Sequence, residues 1–184
     1  MAIETPKYTV LKKYKNIEIR QYSEYIQAEV EVIAENYKSA IENGFEILAS
    51  YIFGNNTGRQ KIDMTTPVKT SRSEKIPMTT PVKVYGEGTY TVSFVMPAKY
   101  TLETLPLPNE KSINFKKINA KKIAAIRFSG FFKQENISKN IALLKEYLLK
   151  ENISTDKEFV IAGYSPPWIP RFLARNEVML KLNE

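Results

Sequence analysis

Residues 26–53 read IQAEVEVIAENYKSAIENGFEILASYIF, and their hydrophobic period changes once, near Asn36. From Ile26 to Val32 apolar and polar residues alternate, which is the pattern of a strand with one buried face. After Asn36, whose side chain can cap a helix, apolar residues recur every three or four positions up to about Phe53. The stretch therefore predicts a strand followed directly by an amphipathic helix.

The same order of elements occurs twice along the chain. A shorter alternating burst at 17–20 precedes the first strand and is predicted to pair with it as a hairpin. A second helix is predicted over 137–148, with Asn136 or Ser138 as its cap. Further strands are predicted at 90–96, 113–115, 122–128, 159–164 and 177–182. Two amphipathic helices combined with these strands indicate an α+β fold.

The chain is predicted to form a single domain that spans residues 1–184. Its 184 residues, of which 43% are hydrophobic, are enough to bury a core without crosslinks. The two pseudo-repeated halves cover roughly 8–96 and 113–182, and no Pro/Gly/Ser-rich linker separates them. We therefore expect the strands of both halves to belong to one curled sheet.

Two residue types are missing from the sequence, and their absence excludes several kinds of chemistry. The chain has no cysteine, which excludes disulfides, thiolate metal sites and cysteine nucleophiles. It also has no histidine, which excludes a Ser-His-Asp triad and the commonest metal ligand. With no catalytic constellation evident, we expect a binding protein and not an enzyme.

The formal charge of +7 and the pI near 9.4 raise the question of an anionic partner. Nucleic acid is one candidate, because basic surfaces release counterions from phosphates. The lysines, however, flank the predicted strands and alternate with glutamates, as at solvated strand edges. We therefore expect no nucleic-acid partner, and a small anionic ligand would experience the same positive field.

Localisation is predicted from the apolar segments of the chain. Residues 1–8 contain no apolar segment of the kind that a secretory signal needs. The apolar runs, such as 123–126, are far shorter than the roughly 20 residues that span a bilayer. We expect a soluble, cytoplasmic and monomeric protein without a membrane partner.

A shorter repeat lies between the two halves. Residues 61–69 read KIDMTTPVK and residues 75–83 read KIPMTTPVK. Two copies are too few for a solenoid, so we expect the two arms of a hairpin or extended loop. Because a proline removes a donor from the strand ladder, these arms are predicted at an edge or rim of the sheet.

Several motifs together resemble the SOUL haem-binding family over nearly the whole chain. The strongest are A-G-Y-S-P-P-W at 162–168 and R-N-E-V at 175–178. The others are Y-I-F-G-N-N at 51–56, the doubled I-x-M-T-T-P-V, V-M-P at 95–97 and F-S-G at 128–130. The resemblance implies a distorted antiparallel or mixed β-barrel of two pseudo-repeated halves, flanked by two α-helices.

The resemblance also implies haem or another tetrapyrrole as the ligand, held in an apolar cleft beside the first helix. On the helix, the matching positions are Phe45 and Ala49, which lie on the flank of the apolar stripe. In the C-terminal loop they are Tyr164, Trp168 and Ile169. For Phe45 the alternative is that it only widens the core stripe, and for Trp168 that it closes the end of the barrel.

Without histidine, haem iron cannot receive an imidazole ligand in this chain. Tyrosinate and methionine thioether remain as ligand types, with Tyr164, Met64 and Met78 as nominal candidates. We expect instead that contacts with the cleft hold the ring. Arg171 and Arg175 can meet the haem carboxylates, because guanidinium forks match that geometry. Arg175 can alternatively belong to a structural network within R-N-E-V.

The sequence leaves four functions open. The first is a haem or tetrapyrrole carrier or buffer, and the second is a binder of another flat amphipathic molecule, since the architecture also resembles bacterial effector-binding domains. The third is an enzyme that uses Glu177 with Tyr164, which requires a raised carboxyl pKa. The fourth is a protein-interaction module with an exposed apolar patch and no cleft. We expect the first.

Overall fold

The computed structural model describes residues 4–72, 88–165 and 169–183, which contain two α-helices and nine strands. In chain order the elements are β1 (Tyr8–Tyr14), β2 (Ile17–Tyr22), β3 (Tyr25–Ala34), α1 (Tyr37–Ile52), β4 (Val68–Arg72), β5 (Gly88–Val95), β6 (Asn114–Ile118), β7 (Lys121–Phe128), α2 (Gln134–Lys150), β8 (Thr155–Gly163), a short 3₁₀ helix (Arg171–Leu173) and β9 (Asn176–Leu182). Within these ranges, no helix is long and apolar enough to cross a membrane.

The nine strands form one antiparallel sheet in the order β1-β2-β7-β9-β8-β4-β5-β3-β6. The predicted α+β class with two helices is confirmed. The sheet is open, with β1 and β6 at its edges, so "barrel" describes it only approximately, and the described pairings include no parallel pair. β4 of the first half pairs with β8 of the second over Val68–Thr70 and Ile161–Gly163.

Two further strand pairs also join the two halves. β2 pairs with β7, and β6 pairs with β3. The predicted hairpin between β2 and β3 is therefore wrong. Its two-residue connection, Ser23-Glu24, contains neither the glycine nor the asparagine that the tight turns of such hairpins favour. β2 forms its hairpin with β1 instead, where Lys15 adopts a positive φ of 52° in the turn.

Strand β1 was not predicted from the sequence. Its residues are almost all exposed, so its composition lacks the alternation that marks a half-buried strand. It is nevertheless the first edge of the sheet and covers β2. An edge strand with both faces largely solvated leaves little hydrophobic pattern to detect.

Helix α1 agrees closely with its prediction. Asn36 is the N-cap, and its side chain accepts a hydrogen bond from the Ser39 backbone while Ser39 reciprocates. The last helical residue is Ile52, and Phe53 is the C-cap. The local sequence therefore determines both ends of this helix.

Helix α2 exists as predicted, but its cap does not. The helix begins at Gln134, and its N-cap Lys133 makes no side-chain capping hydrogen bond. Asn136 lies inside the first turn and donates back to the carbonyls of Ser129 and Phe131. The prediction of a cap at Asn136 or Ser138 is wrong because the helix starts before the first apolar position that marks its period.

The first proline-containing arm does not lie at an edge. Val68 and Lys69 begin β4, which is an inner strand between β8 and β5. Pro67 precedes the first paired residue, so its missing N–H removes no hydrogen bond from the ladder. The edge alternative is therefore wrong for this arm, and its proline lies at the end of an inner strand. Residues 75–83 lie outside the described residues.

Both helices pack on the same face of the sheet and bury the main core there. α1 covers β3, β5 and β4, while α2 covers β7 and β9. The closest approach is at Gly44, where an added Cβ would lie 2.5 Å from Val92 Cβ. Only glycine allows α1 to sit this near the sheet. The other face carries the alternate residues of each strand and is called the polar face below.

Candidate ligand-binding site

The polar face contains a cavity of about 450 Å³, which falls in the size range of small-molecule sites. Residues of every strand except β1 line it, so both halves of the chain contribute to its wall. It is called the polar-face cavity below. Its position follows from the period of two along the strands, because positions opposite the helix-facing core residues point into it.

Lys69 is the most buried cation of this cavity. It lies on the inner strand β4 and is 8% exposed. Its Nζ donates to the Tyr25 hydroxyl at 2.7 Å and lies 4.3 Å from the centre of the Tyr25 ring. In the described parts of the chain, no carboxylate lies within ion-pair distance of this ammonium group.

The pKa of Lys69 reflects this environment. Burial lowers it, the nearby charge of Lys121 lowers it further, and Glu177 raises it only in part, so the pKa falls to about 7. A buried ammonium without a counter-ion loses its hydration and gains little in return. Lys69 is therefore only partly charged at neutral pH.

Aromatic and apolar side chains form other parts of the wall. Tyr22 and Tyr25 lie with ring centroids 6.5 Å apart in an edge-on arrangement. Ile123, Val160 and Met179 provide an apolar surface beside them. The cavity thus combines aromatic and aliphatic side chains with one buried cation inside a wall that is otherwise polar, which suits a molecule with an apolar body and an acidic group.

Beside the cavity, Glu177 is completely buried and engages two arginines. The Arg20 guanidinium donates two hydrogen bonds of 2.7 and 2.9 Å to its carboxylate, and the Arg175 Nη2 donates to it at 2.8 Å. The Tyr164 hydroxyl donates to the same carboxylate at 2.8 Å. Burial raises the pKa of Glu177, but Arg20 and Arg175 outweigh burial and lower it below its usual value.

This cluster argues against acid–base chemistry by Glu177 and Tyr164. The two groups touch, as the enzyme hypothesis required, but that hypothesis also needs a raised carboxyl pKa. The pKa of Glu177 is shifted downward, and burial together with the neighbouring carboxylate raises the pKa of Tyr164. The carboxylate stays ionised, the phenol stays protonated, and each is occupied by its partners.

A second cavity, of about 560 Å³, lies between the N-terminal segment, the β2–β3 turn and residues 95–103. Tyr25 lines both cavities. The acidic residues Glu4, Glu24 and Glu103 face it, and the basic residues are Lys7 and Lys117. None of the lysines in its wall is buried, so this cavity lacks an unpaired internal charge in the described residues.

The sequence as a whole matches the model of one protein family, described as SOUL heme-binding protein, over residues 3–181. The chain belongs to this family. The SOUL family resemblance in the sequence motifs is thereby confirmed.

Two SOUL relatives carry the name heme-binding protein 2. The protein from Homo sapiens is 30% identical over 185 residues, which cover 97% of this chain and 86% of the relative. The protein from Mus musculus is 32% identical over 161 residues, which cover 86% of this chain and 74% of the relative. Among solved structures, the EcmrR C-terminal domain is similar, with a TM-score of 0.67 at 12% identity over 96% of this chain and 98% of that one.

In this SOUL protein, the two predicted cleft residues of α1 face the main core. Phe45 is half-buried, and its ring packs edge-on against Phe94 with centroids 5.3 Å apart. Ala49 is 8% exposed. Both therefore lie on the helix side of the sheet, and neither lines the two cavities described above. Their role in ligand binding stays a prediction.

The C-terminal loop residues occupy several places in this SOUL protein. Tyr164 and Arg175 come together, with the guanidinium 4.1 Å from the ring centre, and both bind Glu177 on the polar face. Ile169 is half-buried and Arg171 is exposed. Trp168 lies outside the described residues. Tyr164 and Arg175 are therefore in contact with each other. They lie on the opposite side of the sheet from Phe45.

Two of the nominal iron ligands, Met64 and Tyr164, lie within the described residues. Met64 is 37% exposed, and Met78 lies outside the described residues. The Tyr164 hydroxyl donates to Glu177, and burial raises the pKa of Tyr164, which disfavours the tyrosinate form that ligates haem iron. Its role as an iron ligand stays a prediction. For Arg175, the structural alternative within R-N-E-V describes its contacts with Glu177.

Sequence reasoning missed Lys69, Tyr25 and Arg20, which dominate the polar face of this SOUL protein. Each occupies the polar position of an alternating strand, where a solvated side chain is the ordinary expectation. The sequence offered one signal for Lys69, its position between Val68 and Thr70. That signal can be interpreted only once the strand order is known, because the order shows that this strand is internal.

Proposed function

We propose that this chain binds haem or another tetrapyrrole reversibly, as a carrier or buffer and not as an enzyme. The observation that carries the proposal is membership of the SOUL heme-binding protein family over residues 3–181. Relatives named heme-binding protein 2, at 30% and 32% identity over most of this chain, support it. Contacts with the ring hold the ligand, because the chain has neither histidine nor cysteine to ligate iron.

The proposal extends to the setting in which the protein acts. It works as a cytoplasmic monomer with a small planar ligand and without nucleic acid. The mixed signs along its strands support the absence of a nucleic-acid partner, since Lys13, Lys117 and Lys181 each pair with a nearby carboxylate instead of forming one basic patch. Sedimentation tests whether the protein is a monomer, and a salt-dependent nucleic-acid titration tests whether it binds nucleic acid.

A haemin titration tests the main proposal. We expect a saturable shift of the Soret band together with quenching of Trp168, the only tryptophan of the chain. Because the protein carries a formal charge of +7, anionic haemin can also associate with it nonspecifically. The control is a basic protein of similar size in the same buffer, with both titrations repeated at high salt.

The outcome is read against that control. Saturation at one haemin per chain that persists in high salt supports the proposal. A linear, salt-sensitive response equal to that of the control contradicts it. Thermal-shift screening then follows, and stabilisation by non-porphyrin aromatics alone identifies a binder of another flat amphipathic molecule.

A further inference from the structure

Lys69 is unusual because its ammonium group is buried on an inner strand. It is 8% exposed, and among the described residues its hydrogen bond goes to the neutral Tyr25 hydroxyl and it has no ion pair. Lysine is almost never fully buried without a partner, since desolvating a charge is costly. The Lys69 Nζ also lies 5.9 Å from the Tyr22 ring centre and 4.3 Å from that of Tyr25, and neither ring is a counter-ion.

The two arginines of this face have their counter-ions within the protein. Arg20 and Arg175 both bind Glu177, and Arg20 also contacts Glu18 at 2.8 Å. These guanidinium groups are therefore occupied. Lys69 remains the buried charge in the cavity wall that lacks a protein carboxylate among the described residues.

The composition of the wall explains why nearby acids do not fill this role. Lysines and acids are balanced there, with Lys69, Lys116, Lys121 and Lys181 against Glu29, Glu31, Asp156 and Glu158. Asp156 lies 3.7 Å from Lys181, and Glu29 accepts a hydrogen bond from Gln27 at 2.8 Å. Glu31 and Glu158 are exposed. The rim is electrically mixed, while the uncompensated charge lies deeper.

We propose that the polar-face cavity binds a planar apolar molecule through a carboxylate that pairs with Lys69 Nζ. Tyr25 and Val160, which line the cavity and are half-buried, offer apolar contacts to the ligand, while Tyr22, Ile123 and Met179 in the same wall are almost fully buried. The choice of a tetrapyrrole with propionate groups as this ligand rests on the proposed function. The site then lies on the opposite side of the sheet from Phe45.

This pairing makes binding dependent on pH. The groups that face Lys69 or act on its charge come from six strands and are Tyr22, Tyr25, Glu29, Glu31, Lys116, Lys121, Asp156, Glu158, Glu177 and Lys181. A ligand carboxylate stabilises the charged form of Lys69, so binding takes up protons above pH 7. Affinity for a diacid therefore falls as the pH rises from 7 to 9.

The test compares protoporphyrin IX with its dimethyl ester, which keeps the ring and removes both carboxylates. Wild-type protein is expected to bind the diacid roughly 10- to 100-fold more tightly, the usual effect of a charge-assisted hydrogen bond. The variant K69M is expected to bind both compounds with equal affinity. Lys145→Met removes an exposed lysine on α2, on the other side of the sheet, and is expected to match wild type.

Each result decides between the two proposals. If wild type binds neither porphyrin, the proposed function fails. If wild type binds the diacid and the diester equally, or K69M keeps the full preference, tetrapyrrole binding stands and the Lys69 site is overturned. The comparison of the two ligands on wild type needs no variant, so it remains decisive if K69M does not fold. Calorimetry at pH 8 in two buffers checks proton uptake for the diacid alone.

Discussion

Glu177 is the residue on which the polar face depends most. It is fully buried, and it neutralises Arg20 and Arg175 while accepting a hydrogen bond from the Tyr164 hydroxyl. Glu177→Gln keeps the shape but leaves two guanidinium groups without this counter-ion. We expect a loss of about 3–5 kcal/mol in the free energy of unfolding, measured by urea denaturation at pH 7.

The control for this variant is Glu158→Gln, an exposed acid on the adjacent strand β8, with an expected change within about 0.5 kcal/mol. The pH dependence provides a second check. Because the folded pKa of Glu177 is depressed, its contribution is present above the unfolded value of about 4.3 and is lost as the pH falls through the folded pKa. Equal stability of Glu177→Gln and wild type at pH 7 would contradict this account.

At the scale of elements, the contact between α1 and β5 is set by Gly44. An alanine there raises helix propensity by about 1 kcal/mol, but its Cβ would lie 2.5 Å from Val92. Overpacking of a core typically costs about 1–3 kcal/mol. We therefore expect Gly44→Ala to lower the denaturation midpoint, with a net loss of up to about 2 kcal/mol.

The neighbouring residue Asn43 provides the matched control for Gly44. It lies on the exposed side of the same helix turn, so Asn43→Ala is expected to be neutral or slightly stabilising. Truncating Val92 in the Gly44→Ala background should recover part of the loss, which a double-mutant cycle measures. Additive effects of the two substitutions would mean that the Gly44–Val92 contact is not the cause.

At the scale of the whole molecule, the strand pairs between the halves make each half depend on the other. β2 completes the sheet next to β7, and β6 completes it next to β3. Separate fragments 1–111 and 112–184 would each expose apolar strand faces that the other half covers. We expect neither fragment to show a cooperative urea transition, and we expect their equimolar mixture to regain one, followed by circular dichroism.

The cut falls between Lys111 and Ser112 because both residues are exposed. It also keeps residues 106–109 with the end of α1, where Tyr51 donates to the Pro106 carbonyl at 2.8 Å. Cooperative unfolding of either fragment alone would contradict the single-domain interpretation of residues 1–184. An intact chain with the same tag is the reference for both fragments.

Local patterns were sufficient for much of this fold. The period change at Asn36 predicted α1 almost to the residue, because caps and hydrophobic periodicity act over a few neighbouring positions. The same reasoning found α2 and most of the strands, and the motifs at 162–168 and 175–178 were enough to recognise the SOUL family. The absence of histidine and cysteine by itself limits the chemistry open to the chain, because no arrangement of the remaining residues can supply an imidazole or a thiolate.

Tertiary structure alone decided which strands pair and which polar positions are buried. A strand pattern specifies one buried face but names no partner, so β2 and β3 were paired wrongly. Likewise, Lys69 and Glu177 look like solvated positions until the strands of both halves enclose the polar face. Burial of a charge depends on residues far away in sequence, which is why the polar-face cavity emerged only from the folded chain.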